Sequence, residues 1–338
     1  MTQTYKPIHA VTLGDVAGSG PEIVAKTLNE PEIKETCRSI VIGDAAVMQD
    51  ALRITKMPGR VRAIKDAAEA HFEDGVIEVL DLKNIDLSKL QRGKVDTMAG
   101  KAAYEYITKG TELTLAGKTD AIVTSAINKE SLNKAGYHYD GHTGLLAELT
   151  RTKDVCMMLV AGNLRVSHVT THVSMRKALD LIRPERILKV VQLTNDAVKD
   201  MGVANPRIAI AGLNPHSGED GLFGDEEIKY ITPSIMEAIK RGYNVMDRAL
   251  PPDTIFLRTY EGQFDVAIAM YHDQGHIAIK MMGMWLGVNV TLGLPIIRTS
   301  VDHGTNFGKA GKGTADPRSM IAAMKLATVM ARSRKAKK

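Results

Sequence analysis

The sequence predicts an α/β protein of two domains, built on mostly parallel sheet with helices on both faces. Short apolar segments that suit buried strands alternate along the chain with segments of helical spacing, an order typical of parallel sheets. The length of 338 residues exceeds one small domain and suits two domains of about 100–200 residues each. A hydrophobic fraction of 44% and a charged fraction of 25% are ordinary for a globular protein.

Four apolar segments in the first half of the chain predict buried strands: 8–13, 40–43, 76–80 and 121–124. The glycine-rich turn 14–22 follows the first of them and leads into a helix, with Pro21 suited to the first helical position. Such a turn either holds an anion on free N–H groups or is purely structural, and it matches neither a Walker loop nor GxGxxG. Residues 97–116 have helical spacing, and residues 125–130 begin another helix.

The second half of the chain predicts further strands, and a helix follows them at 319–331. These strands are 164–173, 208–213, 264–270, 288–292 and 294–298. Polar residues 271–276 follow one of them directly. Because ligands of open α/β sheets bind beyond the carboxyl ends of the strands, this polar segment is a candidate site.

Three of these strands each deliver a histidine at the same predicted edge of the sheet. The histidines are His216, His272 and one of the pair His168 and His172. Three imidazoles that converge with an open position form a divalent metal site. The spacing leaves open which of His168 and His172 points inward, since residues an even number apart share one face of a strand.

Other polar residues have both a structural and a functional interpretation. Lys280 is a point charge for a phosphate or carboxylate, and Arg298 either binds such an anion or forms a surface ion pair. Asp253 lies in a proline-rich turn, where it either forms the turn or faces a site. Lys129 is either a solvated residue of a helix start or part of a site. The glycine-punctuated loop 301–316 either wraps a nucleotide or is mobile.

Composition and charge exclude several functions. Aromatic residues make up 4% of the chain, with one Trp, which leaves few rings for stacking on nucleic-acid bases. The formal net charge is +5, but five positive charges lie within residues 332–338, so the remainder is neutral. We therefore expect no nucleic-acid partner and a solvated C-terminal end.

Cysteine content and hydropathy indicate where the protein works. Cys37 and Cys156 do not make a disulfide framework and fit a reducing compartment. Residues 1–9 are polar and lack the apolar core of a signal peptide. Since no run of about 18 uncharged apolar residues occurs, we expect no membrane partner and a cytoplasmic location.

Eight motifs stand in order along nearly the whole chain. They are GDVAGSGPE at 14–22, SAINKE at 125–130, GHT at 141–143, TTH at 170–172, GLNPH at 212–216, PDT at 252–254, YHDQG at 271–275 and GLPIIRTSVDHGT at 293–305. In this combination the chain resembles the 4-hydroxythreonine-4-phosphate dehydrogenase family. The loop 303–316 is also similar to the adenine-side loop of the isopropylmalate and isocitrate dehydrogenases, which are related to that family in fold.

The resemblance implies a two-domain α/β/α subunit of the isocitrate/isopropylmalate dehydrogenase type, with the active site in the cleft between the domains. Residues 1–130 together with 285–338 would form the first domain, which carries the cofactor loop. Residues 131–284 would form the second domain, with the metal site and the dimerisation surface. The resemblance also implies a homodimer whose subunits share each active site.

The resemblance implies four groups of site residues. A divalent metal (Zn, Mg, Mn or Co) would be bound, with ligands from both subunits, by His172, His216 and His272. A phosphorylated small-molecule substrate would be bound by His142, Thr143, Lys280, Asn289 and Arg298. NAD would lie along Asp302, His303, Gly304, Thr305 and Gly311. Catalysis would be supported by Asp273, Lys129 and Asp253; the general base is left open between Lys129 and Asp273.

The implied reaction is oxidation of the 3-hydroxyl of a 4-phosphorylated four-carbon hydroxy acid to a 3-oxo acid, with NAD as hydride acceptor. His276 and residues 222–227 are similar to the branch that acts on 4-phospho-D-threonate or 4-phospho-D-erythronate, whose product decarboxylates to dihydroxyacetone phosphate. The alternative is 4-hydroxythreonine-4-phosphate dehydrogenase of pyridoxal phosphate biosynthesis. Further alternatives are a phosphate acyltransferase-like enzyme of related fold and a dehydrogenase of unphosphorylated cyclic diols.

Departures from the family pattern bear on cofactor and substrate. Gly308 and Lys309 replace an acidic–apolar pair in the cofactor loop, which leaves the choice between NAD and NADP open. Gly144 stands where the family usually has Glu, next to two of the implied substrate-binding residues. Val16 and Ser19 replace the commoner Pro and Ile of the first turn.

Overall fold

A computed structural model describes residues 5–283 and 287–337. The chain divides into two compact units: unit 1 comprises Met1–Lys153 with Leu294–Lys338, and unit 2 comprises Asp154–Gly293. The strands of the described residues are β1 (Ile8–Thr12), β2 (Arg38–Gly43), β3 (Arg60–Ile64), β4 (Val76–Asp81), β5 (Ala121–Thr124), β6 (Cys156–Ala161), β7 (Leu164–His168), β8 (Ile208–Ile210), β9 (Val266–Ala269), β10 (Val288–Leu292) and β11 (Ile297–Val301).

Several helices of the described residues begin at a side-chain cap or with a proline in the first turn. The helices are α1 (Gly20–Asn29), α2 (Pro31–Thr36), α3 (Ala45–Thr55), α4 (Thr97–Leu115), α5 (Lys129–Lys134), α6 (His142–Leu149), α7 (Met175–Leu181), α8 (Pro184–Asp200), α9 (Thr232–Lys240), α10 (Ile255–Tyr260), α11 (His272–Met282) and α12 (Arg318–Ala336). For example, the Asp96 carboxylate accepts a hydrogen bond from the Ala99 N–H at 3.0 Å and caps α4.

Unit 1 has a parallel sheet in the order β3-β4-β2-β1-β5-β11. Its central strand β1 is flanked by β2 and β5, so that Ala10 lies opposite Ile40 on one side and Ile122 on the other. The helix α4 packs against β1, β2 and β5, whereas α12 packs against β5 and β11.

Unit 2 has a sheet in the order β10-β6-β7-β9-β8. The pairs β10–β6 and β6–β7 are antiparallel, and the pairs β7–β9 and β9–β8 are parallel. The helix α11 packs against β6, β7 and β9. The predicted fold class, an α/β protein with mostly parallel strand pairing, is confirmed across the two units.

The unit boundaries differ from the predicted domain boundaries. The predicted boundary at 130/131 would separate α5 and α6 from α4, against which both helices pack, so the structure keeps them in unit 1. The predicted boundary at 284/285 lies outside the described residues. The strand β10 pairs with β6 and therefore belongs to unit 2.

Two strand predictions are corrected. The strand predicted at 164–173 ends at His168, because its partner β9 ends at Ala269 and the chain then turns with an N–H of Val173 donating to the Thr171 carbonyl. The strand predicted at 294–298 lies further along, at β11. Arg298 is therefore the second residue of a buried strand and does not stand at a strand end.

The length and hydropathy of the described helices determine whether one of them could span a membrane. None of them is long and apolar enough to cross a bilayer.

Candidate functional site

Three strands of unit 2 bring histidines to one edge of its sheet. β7, β9 and β8 are parallel neighbours, so their carboxyl ends lie on the same side. His168 ends β7, His272 begins α11 just after β9, and His216 follows β8. The edge that the sequence predicted therefore exists in unit 2, although the three histidines are placed differently along it.

His172 and His272 lie side by side at this edge. Their ring centroids are 5.5 Å apart, and both rings line an open groove of about 380 Å³ together with Asp273. The Nδ1 of His272 is 2.6 Å from the Oδ1 of Asp273, and 34% of the His272 side chain is exposed. A carboxylate on Nδ1 fixes the tautomer and leaves Nε2 to face a ligand.

This pair fits one divalent metal ion. Two imidazoles that bind an ion at about 2.0–2.1 Å in tetrahedral geometry have ring centroids about 5 Å apart, close to the observed 5.5 Å. Neutral imidazoles with an adjacent carboxylate are also the usual donor set of such sites. Among the described residues of this chain, no group of three or more His, Cys, Asp or Glu side chains is arranged to hold a metal.

His216 lies in a turn of unusual backbone conformation. Residues 216–220 all have positive φ, with His216 at 51° and Ser217 at 57°. Left-handed conformations of this kind cost about 1 kcal/mol or more per non-glycine residue, so the turn needs support. Glu227 supplies it, since its buried carboxylate accepts the N–H groups of Leu213 and Asn214 at 2.7 and 2.8 Å.

The structure distinguishes the two histidines that the strand spacing left open. His168 is fully buried, with its Nδ1 3.3 Å from the carbonyl oxygen of Met157 and its Nε2 3.2 Å from His276. His172 is exposed and stands beside His272. His168 is therefore an interior residue, and His172 is the one that lies at the surface beside His272.

The other predicted residues of unit 2 are distributed over three elements. Asp253 and Asp273 line a second groove, of about 510 Å³, whose walls are largely apolar. Lys280 lies on α11 two turns after His272. Asn289 lies on β10 opposite Leu159 of β6.

Unit 1 contains a cationic cluster around Arg298. The guanidinium is 2% exposed, and its Nη2 donates to the hydroxyl of Thr124 at 2.9 Å. Burial lowers the pKa of Arg298 to about 9, which leaves it charged at neutral pH. Buried positive charge beside Thr124, the last residue of β5, favours an anionic ligand.

His142 and Thr143 begin α6 next to this charge. Burial first, and then the charge of Arg298, holds the pKa of His142 well below its usual range, so the ring is neutral. Its Nε2 is buried and has no hydrogen-bond partner among the described residues. Gly141, at φ 143°, precedes the helix, and Lys129 Cε lies within van der Waals distance of the position that a β-carbon would occupy there. The cluster thus offers a cation, a neutral imidazole and a helix N-terminus to one ligand.

The loop that carries the predicted cofactor residues is fastened to α1. The Glu22 carboxylate accepts the N–H groups of Gly311 and Gly313, and the Lys26 ammonium donates to the Gly313 and Ala315 carbonyls at 2.7 Å. The N–H of Ser19 donates to the Thr305 carbonyl at 2.9 Å. The N–H of Gly311 is thus used inside the protein, which makes Gly311 a loop anchor.

The rest of this loop fits a cofactor that binds through backbone and small side chains. Gly304 and Gly308 are exposed, with no atom within 4 Å of the position of an added β-carbon. The Asn306 side-chain amide nitrogen is buried and has no hydrogen-bond partner in the described structure. Asp302 and His303 are held in place, with the Asp302 N–H donating to Ser319 Oγ and His303 Nδ1 to the Gly304 carbonyl.

Asp15 is a residue of interest that the sequence analysis did not single out. It lies in the turn between β1 and α1 and is 1% exposed. Its Oδ1 accepts the Ala17 N–H at 2.9 Å, and its Oδ2 is buried without a hydrogen-bond partner among the described residues. Burial raises the pKa of Asp15 from 3.8 to about 6. In the sequence, the signal for Asp15 is an acidic residue that follows a predicted strand.

We expect Asp15→Asn to stabilise the protein at neutral pH. Because the folded-state pKa is raised, native Asp15 holds its proton more tightly than the unfolded chain does, and stability falls as the pH rises from about 4 to 6. Above that range the ionised group costs about 3 kcal/mol. Urea unfolding should therefore show a stabilised variant at about pH 8 and little difference at about pH 4.

Asp66→Asn is the matched control for this measurement. Asp66 is exposed, and the Ala68 N–H and Lys118 hold its pKa below its usual range. Its contribution is present at neutral pH and is lost as the pH falls, so this variant should lose stability at neutral pH. Identical pH profiles of Asp15→Asn and the wild type would contradict the assignment.

Comparison with known proteins identifies the family. The family model described as pyridoxal phosphate biosynthetic protein PdxA matches residues 35–327. The chain is 46% identical over 325 residues to a D-threonate 4-phosphate dehydrogenase of Pectobacterium atrosepticum, covering 96% of this chain and 99% of the relative. A crystal structure of a 4-hydroxythreonine-4-phosphate dehydrogenase from Burkholderia phymatum is similar with a TM-score of 0.85 at 45% identity, over 96% of this chain and 98% of the other.

A second solved structure agrees with the first. The 4-hydroxythreonine-4-phosphate dehydrogenase of Klebsiella pneumoniae has a TM-score of 0.87 and 42% identity, over 96% of this chain and 100% of the other. The similarity therefore extends over both units. This chain belongs to the PdxA family of dehydrogenases.

Proposed function

We propose that this protein oxidises the 3-hydroxyl of 4-phospho-D-threonate or 4-phospho-D-erythronate, with NAD as hydride acceptor and a divalent metal. The C3 hydride passes to NAD, the hydroxyl proton leaves to a base, and the product is a 3-oxo acid. This acid loses CO₂, and protonation of the resulting enolate gives dihydroxyacetone phosphate. The name of the relative from Pectobacterium atrosepticum supports this substrate class.

The observation that carries the proposal is the pair of His172 and His272 with Asp273. Two adjacent imidazoles, one of them oriented by a carboxylate at 2.6 Å, suit a divalent ion. When bound, such an ion lowers the pKa of the substrate hydroxyl and stabilises negative charge on its oxygen. The chain's own part is to hold both rings in fixed orientation.

Arg298, His142 and Thr143 would bind the phosphate of the substrate. A buried guanidinium, an imidazole nitrogen that no described residue hydrogen-bonds and the N–H groups at the start of α6 are complementary to phosphate oxygens. Lys280 and Asn289 are also proposed to bind the substrate. Binding energy from the phosphate then positions the reacting carbon.

NAD would bind along the loop that Glu22 and Lys26 fasten to α1. Its anchors leave Gly304 and Gly308 exposed, and Asn306 keeps a buried amide nitrogen for a ligand. When bound, NAD accepts the hydride. The choice between NAD and NADP stays open in this loop. Lys309 would supply a cation for the 2′-phosphate of NADP, since a cation beside the ribose suits that group.

The general base remains a choice between two residues, and the geometry favours Lys129. The Asp273 carboxylate is occupied by the Nδ1 of His272, which suits an orienting role. Lys129 lies close to Gly141 at the start of α6, where the substrate anion would bind. Asp253 is exposed at the edge of the groove that it shares with Asp273 and would support the site electrostatically.

The active site would be shared between the subunits of a homodimer. His172 and His272 are close together in one chain, whereas His216 lies in the turn supported by Glu227, and the described residues contain no group of three metal-binding side chains. We infer that the third ligand of each metal comes from the second subunit. The apolar groove beside Asp273, with Leu257 and Ile277 exposed, suits such an interface.

The test is NADH formation by metal-supplemented protein with 4-phospho-D-threonate, 4-phospho-D-erythronate and 4-phosphohydroxy-L-threonine. We expect turnover of the first two, loss of activity on chelation, and a kcat/KM lower by about 10³-fold or more for the unphosphorylated acids, because the site is built for phosphate. Preference for the third compound would assign the protein to the pyridoxal phosphate branch. Chelator-resistant turnover would contradict the metal requirement.

A further inference from the structure

A chain of three histidines extends from the proposed metal site into the interior of unit 2. The rings of His272 and His276 are stacked, with centroids 3.6 Å apart and an angle of 13° between their planes. His276 follows His272 by one turn of α11, so its ring covers one face of the His272 ring. The third member, His168, contacts His276 at the buried end of β7.

Hydrogen-bond partners determine the tautomers of the two inner rings. The Nδ1 of His168 is 3.3 Å from the Met157 carbonyl oxygen, which only accepts, so this nitrogen carries the hydrogen and Nε2 accepts. The Nδ1 of His276 is 3.2 Å from the Nε2 of His168 and 3.0 Å from the carbonyl oxygen of His272, and both of these atoms are acceptors. His276 therefore donates from Nδ1, and its ring plane is held from the interior.

The packing of α11 against β7 depends on Gly275. A β-carbon at this position would overlap with the Nε2 of His168 and would also crowd Val166. Any other residue would push α11 away from β7 and separate His276 from His168. The glycine before His276 thus allows the contact that anchors His276.

The ring of His272 needs more restraint than Asp273 supplies. The Asp273 side chain is 71% exposed, so its hydrogen bond to His272 competes with water. A single hydrogen bond at one ring nitrogen also leaves the ring free to rotate about the axis of that bond. A stacked ring on one face removes this freedom, and His276 is itself fixed by a buried partner.

We propose that His276 is a positioning residue, which holds the plane of the His272 ring so that Nε2 faces the metal, with His168 as its anchor. The inference rests on the proposed function, since it assumes that His272 is a metal ligand. It assigns a role to His276 and His168, neither of which is in the ligand set. Residues of this kind typically change metal affinity by about 10–100-fold when they are replaced.

The experiment compares zinc affinity, by competition with a chromogenic chelator, in full-length wild type, His276→Leu and His276→Phe. We expect His276→Leu to weaken zinc binding about 10–100-fold, and His276→Phe, which keeps an aromatic face, to weaken it less. The visible spectrum of the Co²⁺ form should change in His276→Leu because the ligand field depends on ring orientation. His71→Leu makes the same change at an exposed site and should leave both readouts unchanged.

The melting temperature of each metal-free variant separates positioning from folding. The proposal is overturned if zinc affinity and the Co²⁺ spectrum of a folded His276→Leu match the wild type, or if both variants lose affinity equally. If His276→Leu does not fold, the Phe variant decides: wild-type affinity supports stacking, and affinity as low as that of a His272 variant opposes it. A wild-type protein that turns over substrate but binds no zinc or cobalt contradicts the metal proposal itself.

Discussion

His272→Ala is expected to lose the metal and to reduce kcat/KM by about 10³-fold or more, because a lost ligand removes several kcal/mol of charge stabilisation. His172→Ala should behave in the same way, since the two rings are 5.5 Å apart and face one groove. Asp273→Asn should have a smaller effect, about 10–100-fold, because it orients a ligand and does not bind the ion. Bound metal is measured by elemental analysis of the purified protein, and activity by NADH formation.

His138→Ala is the control, as His138 is an exposed histidine of unit 1. Full metal content in any one ligand variant would remove that residue from the set.

Mixed dimers test whether the subunits share the site. Mixing subunits that carry His216→Ala with subunits that carry His272→Ala should restore about a quarter of the wild-type activity. Half of the randomly paired dimers contain one subunit of each kind, and each of these dimers has one intact site of two. His172→Ala combined with His272→Ala should restore none; the opposite pattern would reassign His172 to the other subunit.

Arg298→Gln is expected to lower kcat/KM for the phosphorylated substrate by about 10²-fold or more, because a buried charge that binds an anion contributes about 2–5 kcal/mol. The guanidinium is 2% exposed and already donates to Thr124, so it is held in place for a ligand. Arg298→Lys should recover little, as an ammonium does not reproduce two parallel hydrogen bonds. Steady-state kinetics with phosphorylated and unphosphorylated acids measure the effect.

Two comparisons make this prediction specific. If Arg298 binds the phosphate, the variant should lose discrimination between the two acids; equal losses on both would place Arg298 at another group of the substrate. Arg60→Gln removes a charge of the same kind from an exposed ion pair with Glu73 and should leave kcat/KM unchanged. Melting temperatures should be compared for both variants, because loss of the Thr124 contact also affects folding.

Much of the fold followed from local patterns. β10 occupies the residues predicted for it, and α4 ends one residue before the predicted end. These elements have continuous apolar or helical periodicity that no tertiary contact overrides. β3 was missed because two of its five residues are arginines: Arg62 pairs with Glu78 of the neighbouring strand, so this charge is satisfied only once the sheet has formed.

The candidate site was predictable in its residue types and less so in its arrangement. Histidines and polar residues after apolar strands indicated the edge of the sheet in unit 2, and the motif order indicated the family. Glu227 and Asp15 were not singled out, because an acidic residue does not reveal its burial in the sequence until its N–H partners are known. The metal ligand set, the substrate-binding residues and the domain limits stay predictions.

The α/β class and the membership in the PdxA family followed from periodicity and from motifs that are contiguous in the chain, whereas β3 and β6 were not predicted. Tertiary packing was needed to show that His172, and not His168, lies beside His272, and that Arg298 is buried within a strand. The physical reason is that strand spacing specifies a face but not a depth. Whether a histidine reaches solvent depends on where its neighbouring strand ends and on which helix packs over it.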